Sequence, residues 1–215
     1  MHRARQHAAS QTRERRQRLA HEAARLMAEG GIRDYHLAKL KAASRLGIHD
    51  DASLPRNTEI EDALREYQRL FAGAGHGEQL RAKREAALRA MEFLHAFSPR
   101  LCGPVLDGTA DTHSPVQLQL HTDHADAVQY FLEEHGIPAE SRMRRLRLDR
   151  ERTLDVPVWL FSAEGLTFDM AVLPYDALRQ PPLSAVDEKP LRRASTRQLH
   201  TLLASEEIDG WLGDG

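Results

Sequence analysis

Ser114-Pro115-Val116-Gln117-Leu118-Gln119-Leu120-His121-Thr122-Asp123 is the stretch that decides how this chain is read. Val116, Leu118 and Leu120 alternate with Gln117, Gln119 and His121, the period-two pattern of a strand with one buried and one polar face. Asp123 stands where a helix cap belongs. Val128, Phe131 and Leu132 then follow at helical spacing through about His135, before Gly136 stops the run. A strand leading into an amphipathic helix predicts a sheet with helices laid on it.

Downstream, Met143 to Leu148, Val156 to Ser162 and Leu166 to Leu173 read as three more strands. The last two are joined by Ala163-Glu164-Gly165, a turn of hairpin length. Arg142, Arg144, Arg145 and Arg147 put charge on both faces of the first of these strands, which predicts an edge strand and could equally attract a phosphate-bearing ligand. Pro174 to Pro190 reads as a loop. Ser195 with Gln198 has capping-box spacing and opens a final helix through about Glu207. The order strand, helix, strand, strand, strand predicts an α+β domain: a small mixed sheet with helices on one face.

Upstream the period is helical. Leu19, Ala23, Leu26 and Met27 line a first helix from about Gln17, which Gly30-Gly31 ends. Leu37, Leu40, Ala43 and Leu46 line a second helix up to Gly47. Thr58 and Glu61 form a capping-box spacing ahead of Ile60, Ala63, Leu64, Tyr67 and Phe71. A glycine-rich break, Gly73 to Gly77, precedes a fourth helix from about Glu78 to Phe97. The texture changes at Ser98-Pro99. Two domains are therefore expected, a helical bundle over residues 1–97 with a basic tail and an α/β domain over 98–215.

A chain of 215 residues with 41% hydrophobic and 29% charged side chains is ordinary for a globular protein. Its net charge of -2 gives no overall drive toward nucleic acid or membrane. No apolar run reaches the length of a membrane span, and the start carries charge without an apolar segment behind it. A soluble, cytoplasmic protein with no membrane partner is the expectation. Cys102 is the single cysteine, which excludes an intrachain disulfide and reads as a small buried residue.

Three segments together resemble the core of the nucleotidyltransferases of the polymerase β type. They are Leu106-Asp107-Gly108-Thr109-Ala110, then Ser114 to Leu120 with its helix, then Leu166-Thr167-Phe168-Asp169-Met170-Ala171-Val172. That family places a Gly-Ser or Gly-Gly turn before a strand carrying Asp-x-Asp, with a third carboxylate on a neighbouring strand. The carboxylates hold two divalent metals, and the glycine turn lets backbone amides approach phosphate. The resemblance covers roughly residues 101–175. It implies a nucleotide site in which Gly108 and Thr109 form the phosphate turn, Gln117 and Gln119 line the strand, and Asp169 is the catalytic acid. Mg²⁺ would be its cofactor. The sequence departs from the pattern at the Asp-x-Asp pair, where Pro115 and Gln117 stand and supply no negative charge. The resemblance therefore implies a degenerate member that binds a nucleotide or nucleic-acid phosphate without the standard two-metal reaction.

Alternation also places Gln117, Gln119 and His121 on one strand face and Thr167 and Asp169 on one face of theirs. If the strands are neighbours, these residues form a polar sheet surface with Asp169 near its middle, which an open sheet would also show toward solvent. His113, His121 and His124 with Asp111 and Asp123 match no recognised metal-ligand spacing. Ser114 lacks the Gly-x-Ser-x-Gly elbow of a hydrolase. Ala42 to Ile48 is similar to the first helix and turn of a bacterial helix-turn-helix, but Asp50, Asp51 and Pro55 stand where the recognition helix would begin. Arg3 to Arg18, Arg33, Lys39, Lys41 and Arg45 offer a second reading, a non-enzymatic adaptor whose basic helical half meets nucleic acid.

Overall fold

Asp34 and Gly47 bracket the second helix. The computed structural model describes residues 2–213 other than 49, 72–74, 125 and 150, without the side chains of residues 2–9, 51, 69, 71 and 207–213. Asp34 accepts the Leu37 amide at 2.8 Å and so caps the start of helix α2, Tyr35–Leu46. Gly47, at φ 63°, takes the left-handed conformation that ends it. Helices α1, His2–Gly30, and α3, Asn57–Phe71, complete the first unit. Residues 1–74 with Ala185–Asp187 form this unit, and the remainder of the chain forms a second.

The helical unit closes on small side chains. Ala23, Ala24, Ala38 and Ala42 are fully buried beside Leu19 and Ile60. Alanines let α1 and α2 approach closely, so Leu37 and Leu40, expected on the inner face, lie 43% and 50% exposed. α1 also starts well before Gln17. The expected Thr58–Glu61 box does not form. Instead Glu59 accepts the Arg56 amide at 2.7 Å, while Glu61 is buried and accepts the Tyr35 hydroxyl. The helix-turn-helix resemblance ends at Gly47, since the next described elements are a 3-10 turn at Asp51–Ser53 and then α3. Of the expected glycine break, Gly73 lies outside the described residues, as do the side chains of Arg3 and Arg5.

The second unit is the α+β domain. Its helix α4, Gly75–Phe93, packs on the sheet and on the C-terminal helix, so the boundary between units falls before this helix rather than at Ser98. The reason is visible in its buried positions: Ala86, Ala87 and Met91 join the core of the sheet. The other elements are β1 (Arg100–Cys102), α5 (Pro104–Asp107), β2 (Val116–His121) and α6 (Asp126–Glu134). They are followed by β3 (Glu140–Arg147), β4 (Thr153–Ala163), β5 (Leu166–Leu173), β6 (Arg193–Ala194) and α7 (Thr196–Gly213). β1, α5 and β6 are too short to leave a periodic signal.

The six strands run in the order β3-β4-β5-β2-β1-β6. β2 and β5 are parallel and the other pairs antiparallel, giving the expected mixed sheet. One face carries Leu101, Val116, Leu118, Leu120, Phe168, Met170 and Val172 and is covered by α4, α6 and α7. The arginine-rich β3 is an edge strand, as its two-sided charge predicts. Glu164 and Gly165, at φ 53° and 75°, make the two-residue turn between β4 and β5. Ser195 and Gln198 exchange the two capping-box bonds, at 3.3 and 2.8 Å, ahead of α7.

Candidate functional site

Cross-strand partners point to the same side of a sheet, so the register fixes which residues share the face opposite the helices. Gln117 pairs with Asp169 on β5 and with Cys102 on β1, and Cys102 pairs with Arg193 on β6. One row of side chains thus crosses four strands: Asp169, Gln117, Cys102, Arg193. The next row holds Ala171, Gln119 and Arg100, and beyond it stands His121 opposite Leu173. β2 and β5 are the neighbours that the sequence left conditional.

Toward β2, β1 and β6 this face is buried and polar, beside an apolar cluster of Val156, Val158, Ala171 and Leu173 on β4 and β5, and it is not an open solvent surface. Asp169 is 7% exposed, Gln119 3% and His121 0%. Arginines from neighbouring strands cover them. Arg144 of β3 donates from Nη1 to Asp169 Oδ1 at 2.9 Å and from Nη2 to Oδ2 at 2.7 Å. Arg193 reaches across β1 to Gln119 Oε1 at 3.3 Å and His121 Nε2 at 3.2 Å. It also donates to the carbonyls of Ala177 and Leu178, at 2.8 and 3.0 Å, and so ties the turn after β5 to the sheet.

The protonation of His121 follows from these bonds. Its Nδ1 lies 3.0 Å from the Ser98 carbonyl, which can only accept, so Nδ1 carries the proton. Nε2 is then left to accept from Arg193. Burial, followed by the charges of Arg193 and Arg100, pushes the imidazole pKa down to about 4, and it stays neutral. Cys102 is a buried member of the first row, and burial together with Asp169 and Asp107 pushes its thiol up to about 12. It packs as a small apolar residue, as expected, and does not furnish a thiolate.

The expected phosphate turn is used by the fold. Gly108 and Thr109 both donate their amides to the Pro104 carbonyl, and Thr109 is buried. A Cβ on Gly108 would lie 3.7 Å from Arg84 Nη2 and 4.0 Å from Leu80, so packed side chains stand over the turn. The glycine that faces the polar row is Gly103. Its backbone, at φ 69° and ψ -159°, lies in a region open only to glycine, and a Cβ there would fall 2.2 Å from Gln117 Oε1. Asp123, expected to cap α6, accepts the Tyr175 amide at 3.0 Å.

Two buried cations of α4 hold the connection from β1 to β2. Arg84 donates to the carbonyls of Val105 and Leu106 at 2.9 and 3.1 Å and pairs with Glu206. Lys83 donates to the carbonyls of Asp111 and Ser114, each at 2.6 Å, and to that of Thr112 at 3.3 Å. The helical period of α4 fits a bundle and does not mark Lys83 or Arg84 as organisers of the site, nor does any pattern mark Arg193, whereas Arg144 stands in the basic run that could attract a phosphate-bearing ligand. Their signal was a pair of cations on the inner face of an amphipathic helix and arginines on strands.

A magnesium pair does not fit these residues. Pro115 is buried and has no ligand atom in its side chain, Gln117 offers a neutral amide, and Asp169 is already held at both oxygens by Arg144. Among the described residues no three His, Cys, Asp or Glu side chains gather to hold a metal ion. What the face offers is positive charge and hydrogen-bond donors, the reverse of a cation site. Comparisons with family models, with curated proteins and with solved structures find no match to this chain.

Proposed function

We propose that the sheet unit is a nucleotidyltransferase-like domain without two-metal chemistry, which binds the phosphate of a nucleotide or nucleic acid on the polar face of its sheet. The observation that carries this reading is the row Asp169, Gln117, Cys102, Arg193. The family resemblance puts its second metal acid at Gln117 and its third at Asp169, and these two positions are direct cross-strand partners. This pairing supports the reading, although neither position offers a free negative charge. One carboxylate remains and one arginine neutralises it, so the rest of the face favours an anion.

Equilibrium binding of ATP in EDTA and in Mg²⁺ tests the reading. Binding of the same strength in both, with no transfer of label from ATP to itself or to an oligonucleotide, is the expected outcome. Binding that requires Mg²⁺, or the absence of any nucleotide binding, overturns it.

The second reading, nucleic-acid binding by the helical unit, draws on a different observation. Residues 1–74 contain 14 Lys and Arg against 10 Asp and Glu. Arg13, Arg15 and Arg18 are exposed, and among the described residues none of them pairs with a carboxylate. Duplex binding that weakens steeply with salt and is lost in the triple variant R13Q/R15Q/R18Q, with ATP binding unchanged, would assign nucleic acid to this unit.

A further inference from the structure

We propose that Arg100 and Arg193 form a phosphate cradle at the β1–β6 end of the polar face, whose ligand is a phosphate carrying two negative charges, such as the terminal group of a nucleoside phosphate. This rests on the nucleotide reading for the nucleoside alone; recognition of the phosphate stands on the two arginines.

The geometry brings them together. Arg100 is the cross-strand partner of Gln119, and Arg193 donates to the Gln119 amide oxygen at 3.3 Å, so Arg193 lies across the strand from which Arg100 projects. Every partner of either guanidinium is neutral. For Arg193 these are Gln119, His121 and the carbonyls of Ala177 and Leu178. For Arg100 they are the carbonyls of Pro99, at 2.8 Å, and Ser98, at 3.5 Å. Among the described residues neither arginine forms an ion pair, although both are half-buried.

A half-buried charge without a counter-charge is costly, and two side by side are more so. Both effects register on Arg193. Burial and then the Arg100 charge lower the pKa of Arg193. The neighbouring groups provide no compensation, since His121 is neutral and Asp169 is engaged by Arg144. Two uncompensated cations call for two negative charges, which a phosphate monoester or a pyrophosphate supplies and a single carboxylate does not. The donors are also free to be used. Among the described residues Nε and Nη2 of Arg100 and Nε of Arg193 make no hydrogen bond, and planar guanidinium forks match the oxygens of phosphate. The burial of the donors' surroundings lets such bonds act in a medium less screening than water.

Calorimetric titration of the full chain in EDTA, with inorganic pyrophosphate, ATP and adenosine as probes, tests the cradle. Pyrophosphate and ATP are expected to bind and adenosine not to bind. Arg193 also anchors the turn after β5, so the deciding variant is Arg100→Gln, which gives up contacts to two carbonyls only. It is expected to weaken both phosphate probes by at least about tenfold. Arg142→Gln on the exposed edge strand is expected to leave them unchanged. If R100Q binds pyrophosphate and ATP as wild type does, the cradle is overturned and the nucleotide reading survives. If pyrophosphate binds through Arg100 while ATP does not bind, the cradle stands and the nucleotide reading falls. If the wild type binds neither phosphate probe, both fall.

Discussion

The Arg144 guanidinium meets the Asp169 carboxylate end on, with both oxygens bonded at 2.9 and 2.7 Å. The acid side of this pair is 10% exposed and the arginine side 42%. Two roles for Asp169 predict opposite results in Asp169→Asn. As a metal ligand it would take nucleotide binding with it when replaced. As a counter-ion for Arg144, its loss adds one net positive charge to the face, so phosphate binding in EDTA persists and is no weaker than in wild type. The fold loses a partly screened ion pair, and urea unfolding should show a destabilisation of about 1–3 kcal/mol. Loss of nucleotide binding by a still-folded D169N would return Asp169 to the role of direct ligand.

His121 gives the fold a pH dependence of definite sign. Its folded pKa, about 4, lies below the ordinary 6.5 because the ring is buried and faces Arg193 and Arg100. Between those values the unfolded chain binds a proton that the folded one refuses, so stability is complete above about pH 6.5 and falls as pH drops toward 4. The gap corresponds to at most about 3 kcal/mol. His121→Asn removes this contribution. Chemical denaturation of both proteins across that pH range should show the wild type losing stability faster toward low pH, with parallel curves below about pH 4. Parallel curves from pH 7 down to 4 would mean that His121 titrates normally in the fold.

Gly103 sets the distance between the β1–α5 turn and Gln117. A methyl group there meets Gln117 Oε1 at 2.2 Å and its Cδ at 2.9 Å. Gln117 can swing away, but the backbone at φ 69° and ψ -159° remains strained for any L side chain. Gly103→Ala should therefore destabilise the unit by about 1–3 kcal/mol, and Gln117→Ala in the same chain should recover only the steric part. Thermal unfolding of the single and double variants measures this directly. Full recovery in G103A/Q117A would assign the whole cost to the clash.

The sequence made some of this legible because the physics was local. Period-two alternation in Val116 to His121 marks a half-buried strand wherever it stands, and charge on both sides of Arg142 to Arg147 marks an edge. The pairing of Gln117 with Asp169 was beyond reach, since nothing local fixes which strands of a mixed sheet lie parallel. Gly108-Thr109 looks like the family's glycine turn, whereas Gly103 follows a strand too short to show alternation. Arg193 stands on a strand as short, while Arg144 stands in a legible basic strand whose sequence does not say what it covers. Arg144 and Arg193 come from opposite edges of the sheet, and only the register brings them over residues of β2 and β5. α4 was assigned to the bundle by its helical period, which does not say against what a helix packs.

Lys83 offers the clearest test of how the connection before β2 is held. The side chain is 5% exposed and its ammonium donates to three carbonyls, of Asp111, Thr112 and Ser114, in the loop that delivers Pro115 and Gln117 to the sheet. Lys83→Met keeps a buried hydrocarbon side chain on α4 and removes the donor. The carbonyls of Asp111 and Ser114, each bonded at 2.6 Å, then have to turn toward water, at a cost of about 1–3 kcal/mol for each group left unmet. Because the loop is at the surface, part of that cost is relieved by local opening, and a total of about 2–4 kcal/mol is expected. Hydrogen exchange separates this from a general loss of stability. The amides of Asp111 and Ser114, which donate to Ser114 Oγ at 3.0 Å and to the Asp111 carbonyl at 3.3 Å, should exchange faster in K83M under native conditions. Amides of β4 and β5 should change only in step with global stability. Uniform acceleration across the sheet would show instead that Lys83 supports the core and not the loop.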